Sequence, residues 1–169
     1  MFENIINFIQ ETYKTKDFIP LHEPRFAGNE KKYLNECIDS TFVSSVGKFV
    51  DEFEEKIAIY TGAKYAIATC NGTSALHISM LLADLERNDE VITQPLSFVA
   101  TCNAINYCGA TPIFVDVDNR YQISIKDLKN KISKKTKAIV PVHWGGASPN
   151  MSEIMLLAKK FKLNVIEDA

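Results

Sequence analysis

The sequence predicts an α/β fold, a mostly parallel sheet flanked by helices, on three observations. Five short β-rich runs alternate with runs of helical spacing across its later part. The segments between those runs are long enough for the crossovers that parallel neighbours require. The composition, 46% hydrophobic and 24% charged over 169 residues, is that of a globular chain able to bury one core.

The elements follow in order. Phe2, Ile5, Ile6, Phe8 and Ile9 recur as one face of an amphipathic helix over 2–13. Glu3 stands where a secretory leader carries basic residues, and no small-residue cleavage site follows. Phe18-Ile19-Pro20, Pro24 and Gly28 then break the chain. Asn29 is placed to cap a helix to Ser40, and Phe49, Val50, Phe53, Ile57 and Tyr60 predict another that stops at Gly62. From there strand and helix alternate: strands over 64–69, 90–93, 112–117, 138–142 and 164–167, helices over 75–85, 98–107, 124–132 and 151–161. The expected division is a helical segment, 1–61, and an α/β segment, 62–169. No closing helix follows the last strand, so the chain reads as the front part of a longer protein, with the C-terminal part of its large domain missing.

Composition excludes several functions. Nineteen basic residues against 21 acidic ones, with no block of one sign, do not make a nucleic-acid surface. Four cysteines and three histidines without zinc-ligand spacing predict reduced thiols and no metal site. No apolar run approaches the roughly 20 residues of a membrane span. A cytoplasmic protein without nucleic-acid or membrane partners is expected.

In parallel α/β sheets, ligands gather beyond the carboxyl ends of the strands. Asn71-Gly72-Thr73-Ser74 lies there, between a strand and a helix, where free N–H groups and the helix dipole suit a phosphate. The plainer reading is an Asn-Gly turn with Thr73 as N-cap. Neither G-x-G-x-x-G nor a Walker lysine is present, which turns the candidate phosphate away from dinucleotides and nucleoside triphosphates. Glu167-Asp168 ends an apolar strand, so a carboxylate there calls for a cation; Asp168 as the cap of a following helix is the alternative. Phe98 fits either ring stacking or the core, and His143 either a bond to a ligand or Asp168, or a structural role.

Taken together, Asn71-Gly72-Thr73-Ser74-Ala75-Leu76, Pro95 to Thr101, Asn103-Ala104-Ile105, Phe114 to Val117, Pro141-Val142-His143 and Val165 to Ala169 resemble, in order, the DegT/DnrJ/StrS-type sugar aminotransferases. The resemblance implies the large domain of a fold type I, aspartate-aminotransferase-like enzyme dependent on pyridoxal 5'-phosphate (PLP). Such an enzyme aminates a nucleotide-linked keto-sugar, usually from glutamate, in cell-surface polysaccharide biosynthesis, and works as a homodimer. Pro20 to Phe26 and Asp39 to Gly47 look more narrowly like the branch of legionaminic acid, a nonulosonic acid, which acts on a UDP-linked 4-keto-6-deoxy N-acetyl sugar.

By the same resemblance Asp168 matches the acid on the cofactor's ring nitrogen, Gly72, Thr73 and Ser74 the phosphate cradle, and Phe98 the aromatic against the ring, while His143 lies near the cofactor. The family's Schiff-base lysine is expected beyond Ala169, which leaves this chain alone without its nucleophile and inactive. Gly47-Lys48 and Trp144-Gly145-Gly146 depart from the family's usual Gly-Pro and Leu-Tyr-Gly. A PLP-dependent sugar dehydratase of the same family, with histidine in place of the lysine, and a noncatalytic α/β fragment remain as alternatives.

Overall fold

Residues 2–20 and 23–169 are described by a computed structural model; Leu21 and His22 of the Pro20 to Phe26 motif lie outside the described residues. The chain divides after Ala66 into two units.

The first unit holds three helices, α1 (Glu3–Tyr13), α2 (Glu30–Ser40) and α3 (Lys48–Thr61). Each ends on a left-handed residue, Lys14, Thr41 and Gly62, and at Gly62 (φ 71°) the absence of a side chain makes that conformation inexpensive. Asn29 sits at the start of α2 without a side-chain cap bond; Glu30 instead accepts from the Gly28 N–H at 2.9 Å. Lys48 and Lys56 flank Glu52 along α3. None of the unit's described residues is buried, although Tyr33 packs on Phe49.

The strand expected over 64–69 is not formed. Those residues are irregular, with Tyr65 and Ile67 exposed. An apolar run becomes a strand only where another strand offers its ladder groups, and the sheet does not extend to this segment. The sheet of the described residues therefore has four strands rather than five.

In the second unit α4 (Gly72–Leu82), β1 (Glu90–Thr93), α5 (Val99–Tyr107), β2 (Thr111–Phe114), α6 (Ile125–Lys131), β3 (Thr136–Val140), a 3-10 turn (Trp144–Gly146), α7 (Met151–Phe161) and β4 (Asn164–Val165) follow in order. The strands lie β2-β1-β3-β4, all parallel. Pro112, which has no N–H to donate, occupies edge strand β2, where a missing ladder bond is tolerated. Glu90 pairs with Thr136 but Val91 with Ala138, so Lys137 is left without a partner on β1 and stays half-exposed.

The period of two along the central strands divides the core between the two faces. Val91, Ala138 and Val140 pack with Leu76 and Met80 of α4 and Ala104 and Ile105 of α5. Ile92 and Ile139 pack with Leu128 of α6 and Ile154, Leu157 and Ala158 of α7. The result is a helix–sheet–helix layering. Helix α7 starts where Asn150 Oδ1 accepts from the Glu153 N–H (3.3 Å) and Asn150 Nδ2 donates to Glu153 Oε1 (2.8 Å). Ser124 caps α6, and Asp127 Oδ2 accepts from the Asp116 N–H at 2.8 Å, a bond that holds the Asp127 carboxyl below its ordinary value. Among the described residues no helix is long and apolar enough to cross a membrane.

Candidate functional site at the carboxyl edge of the sheet

Because all four strands are parallel, the segments after them emerge on one edge. Asp168 is fixed there by its backbone. Its N–H donates to Pro141 O (3.1 Å), its carbonyl accepts from the His143 N–H (2.9 Å), and it bridges to Val142 beyond the end of β3. Its carboxylate Oδ2 accepts from Thr101 Oγ at 2.5 Å, and Ser97 Oγ lies 2.6 Å from that same Thr101 oxygen. No described residue bonds to Oδ1. Asp168 thus presents one anchored and one open carboxylate oxygen.

Helix α4 aims its first turn at the same edge. Asn164, at the start of β4, donates from Nδ2 to Ala83 O just past the end of α4 (2.9 Å), which sets that end of the helix at the amino edge of the sheet. Eleven helical residues rise about 16 Å, while Asn164 to Asp168 along the strand direction covers about 13 Å. Run antiparallel to the strands, as a helix leading into a parallel strand does, α4 would set its start on the side of Asp168. The N-cap is Asn71, whose Oδ1 accepts from the Ser74 N–H at 2.8 Å, not Thr73 as the plainer sequence reading had it. The Gly72 and Thr73 N–H groups have no acceptor among the described residues, and a Cβ built on Gly72 would meet nothing within 4 Å. The fold itself does not need glycine there; the space suits an anion drawn to the positive helix end.

Phe98 is the N-cap residue of α5 and is 75% exposed. It is not a core residue of this chain but an open face on the site edge. His143 bonds Asp168 through its backbone only; its ring turns to Glu167, with Nε2 3.0 Å from Oε2 yet outside hydrogen-bond angles. The two glycines after Trp144 both take left-handed φ, 63° and 78° at Gly145 and Gly146, and shape the turn that follows His143. Burial raises the Cys102 thiol on α5 and the Cys108 thiol after it above their ordinary value, keeping both as thiols.

Sequence reasoning did not single out Thr101, Ser97, Gln94 or Gln122. Gln94 and Gln122 are buried at this edge and tie its loops together, the first donating to Leu96 O (3.1 Å) and the second to Trp144 O (3.2 Å).

The chain from 24 to 169 matches the model of the DegT/DnrJ/EryC1/StrS aminotransferase family. It is 47% identical over 152 residues to the GDP-perosamine synthase of Escherichia coli O157:H7, covering 89% of this chain and 42% of that protein. Among solved structures, the aminotransferase from Psychrobacter cryohalolentis superposes with a TM-score of 0.83 at 37% identity, over 89% of this chain and 38% of that one. A GDP-4-keto-6-deoxymannose-3-dehydratase with a trapped PLP-glutamate geminal diamine superposes with a TM-score of 0.81 at 26% identity, over 90% of this chain and 41% of that one. The chain thus spans about two-fifths of the length of these relatives.

Proposed function

Since the chain belongs to the DegT/DnrJ/EryC1/StrS aminotransferase family, we propose that the protein is a PLP-dependent aminotransferase. Its substrate is a nucleotide-linked 4-keto-6-deoxy sugar and its donor an amino acid, glutamate. The observation that carries this reading is the half-occupied Asp168 carboxylate, set on the edge toward which the open N–H groups of α4 point.

The residues present fit the cofactor. Asp168 Oδ1 would accept a hydrogen bond from the protonated ring nitrogen and so favour the proton on that nitrogen. The Gly72 and Thr73 N–H groups, with the Ser74 hydroxyl, would bind the phosphate at the helix start. The exposed Phe98 ring would cover one face of the cofactor and exclude water from it. PLP, when bound, supplies an electron sink for the pair left behind when a proton leaves the amino-bearing carbon. His143 secures the Asp168 backbone through its N–H, which makes it a positioning residue for that acid.

Gly72→Ala separates fold from ligand. Alanine is the better helix residue by roughly 0.5–1 kcal/mol in a helix interior and meets no neighbour, so the thermal midpoint should stay or rise slightly. PLP affinity should fall about tenfold, on the order of 1.4 kcal/mol, when read by absorbance titration. An unchanged affinity removes Gly72 from the cradle.

The finer reading is the legionaminic-type branch, with a UDP-linked N-acetyl sugar, in polysaccharide or nonulosonic acid synthesis. It is supported by Pro20 to Phe26 and Asp39 to Gly47, and contrasts with the GDP-perosamine synthase relative. We place the protein in the cytoplasm, on its free cysteines, as a homodimer, on the exposed apolar side chains of α1 such as Ile5 and Phe8. The experiment is to supply the purified complete protein with PLP, glutamate and either a UDP- or a GDP-linked 4-keto-6-deoxy sugar. An amino sugar from the UDP substrate is expected. Amination of the GDP substrate alone overturns the branch, and no amination of either overturns the transaminase. Loss of a hydroxyl without gain of an amine would establish the dehydratase reading, which the similarity to the 3-dehydratase supports.

A further inference from the structure

The hydroxyls of Ser97 and Thr101 are absorbed by no role described so far. Thr101 is fully buried, yet its side chain reaches an acid 67 positions further along the chain at 2.5 Å. Each hydroxyl has one proton to give. An ionised Asp168 can only accept, so the Thr101 proton goes to Oδ2. The 2.6 Å contact between the two hydroxyl oxygens must then be made by the Ser97 proton. That proton has another acceptor, Phe98 O, at the longer distance of 3.1 Å. The donors therefore run in one direction, from Ser97 to Thr101 to Asp168.

This chain of donors decides which way the carboxylate faces. The Asp168 backbone is pinned on both sides, by Pro141 O and the His143 N–H, leaving the side-chain torsions as its freedom. The Thr101 bond removes that freedom by holding Oδ2, and a hydrogen bond to a charged acceptor, itself polarised by a second donor, is among the stronger kinds. Oδ1 is left as the oxygen presented outward. We infer that Ser97 and Thr101 form a two-hydroxyl relay that orients Asp168, so that Oδ1 keeps a proton on the ring nitrogen of bound PLP. The inference rests on the PLP reading above. Ser97 and Thr101 are positioning residues, acting through Asp168.

The test uses the complete protein loaded with PLP labelled with nitrogen-15 in the ring, whose resonance reports protonation at that one atom. Thr101→Val keeps the shape and removes the proton; Thr101→Ser keeps the proton. In Thr101→Val the resonance should move from the protonated toward the unprotonated position, PLP affinity should fall about tenfold, and kcat should fall with KM for the keto-sugar little changed. Thr101→Ser should restore all three. Ser97→Ala should move the resonance in the same direction by less. A folded Thr101→Val with the wild-type resonance overturns the relay. Should that variant not fold, an unmoved resonance in Ser97→Ala overturns it instead. A wild-type protein that takes up no PLP overturns the cofactor reading itself, a result distinct from either.

Discussion

Asp168→Asn is expected to lower kcat by about a thousandfold or more, on the order of 4 kcal/mol of transition-state stabilisation, while the protein stays folded. The structure separates the two effects. What Asp168 contributes to the fold runs through its main chain, the bonds to Pro141 O and from the His143 N–H, and asparagine retains both. Its carboxamide oxygen can still accept from Thr101, so the local hydrogen bond survives as well. What disappears is the negative charge, and with it the partner that favours a proton on the ring nitrogen. The loss should therefore appear in kcat, with PLP binding weakened rather than abolished, because the phosphate contacts proposed for the α4 start would be untouched. Steady-state kinetics and an absorbance titration measure the two separately. Activity within tenfold of wild type would show that another group supports the cofactor nitrogen.

The largest effect on stability is expected at Ile139→Ala. Ile139 is fully buried in β3, which is hydrogen-bonded on both sides, and packs with Ile92, Leu128, Ile154 and Leu157. Removing three carbons from such a site takes away transfer energy and leaves a cavity that flanking strands and two helices cannot readily close. The cost is about 2–5 kcal/mol, a large share of the roughly 5–15 kcal/mol that stabilises a domain. It should appear as a lower denaturant midpoint with an unchanged slope. Ile139→Val should cost about 0.5–1.5 kcal/mol. Equal, small effects from both would mean that the α6–α7 face of the sheet is loosely packed.

The parts of this protein that were readable in one dimension are those whose cause is local. Helix α7 was expected over 151–161 and is found there, because an apolar stripe at helical spacing begins beside its own capping residue, Asn150. Strand β1 matches over 90–93 for a similar reason: a short apolar run closed by turn residues on both sides. Phe98, His143 and Asp168 were expected just after strands and are found there, whereas Gly72 was expected after the run over 64–69, which forms no strand. The family resemblance in turn depended on the order of those motifs.

Other features belong to the assembled chain alone. Residues 64–69 have the pattern of a strand but not the structure, because a ladder needs a second set of donors and acceptors that the pattern does not specify. The relay from Ser97 through Thr101 had no distinguishing sign in the sequence, where a serine and a threonine at a helix start look like ordinary capping residues. Only the β1-β3-β4 order carries the end of the last strand to the first turn of α5 and brings Asp168 within 2.5 Å of Thr101. The sequence by itself determined the alternation of elements and the chemistry available at each strand end, since propensity, periodicity and capping act over a few residues. Which strands pair, and which oxygen of Asp168 is held and which left open, was decided by tertiary structure, because those bonds join residues that only the folded sheet makes neighbours.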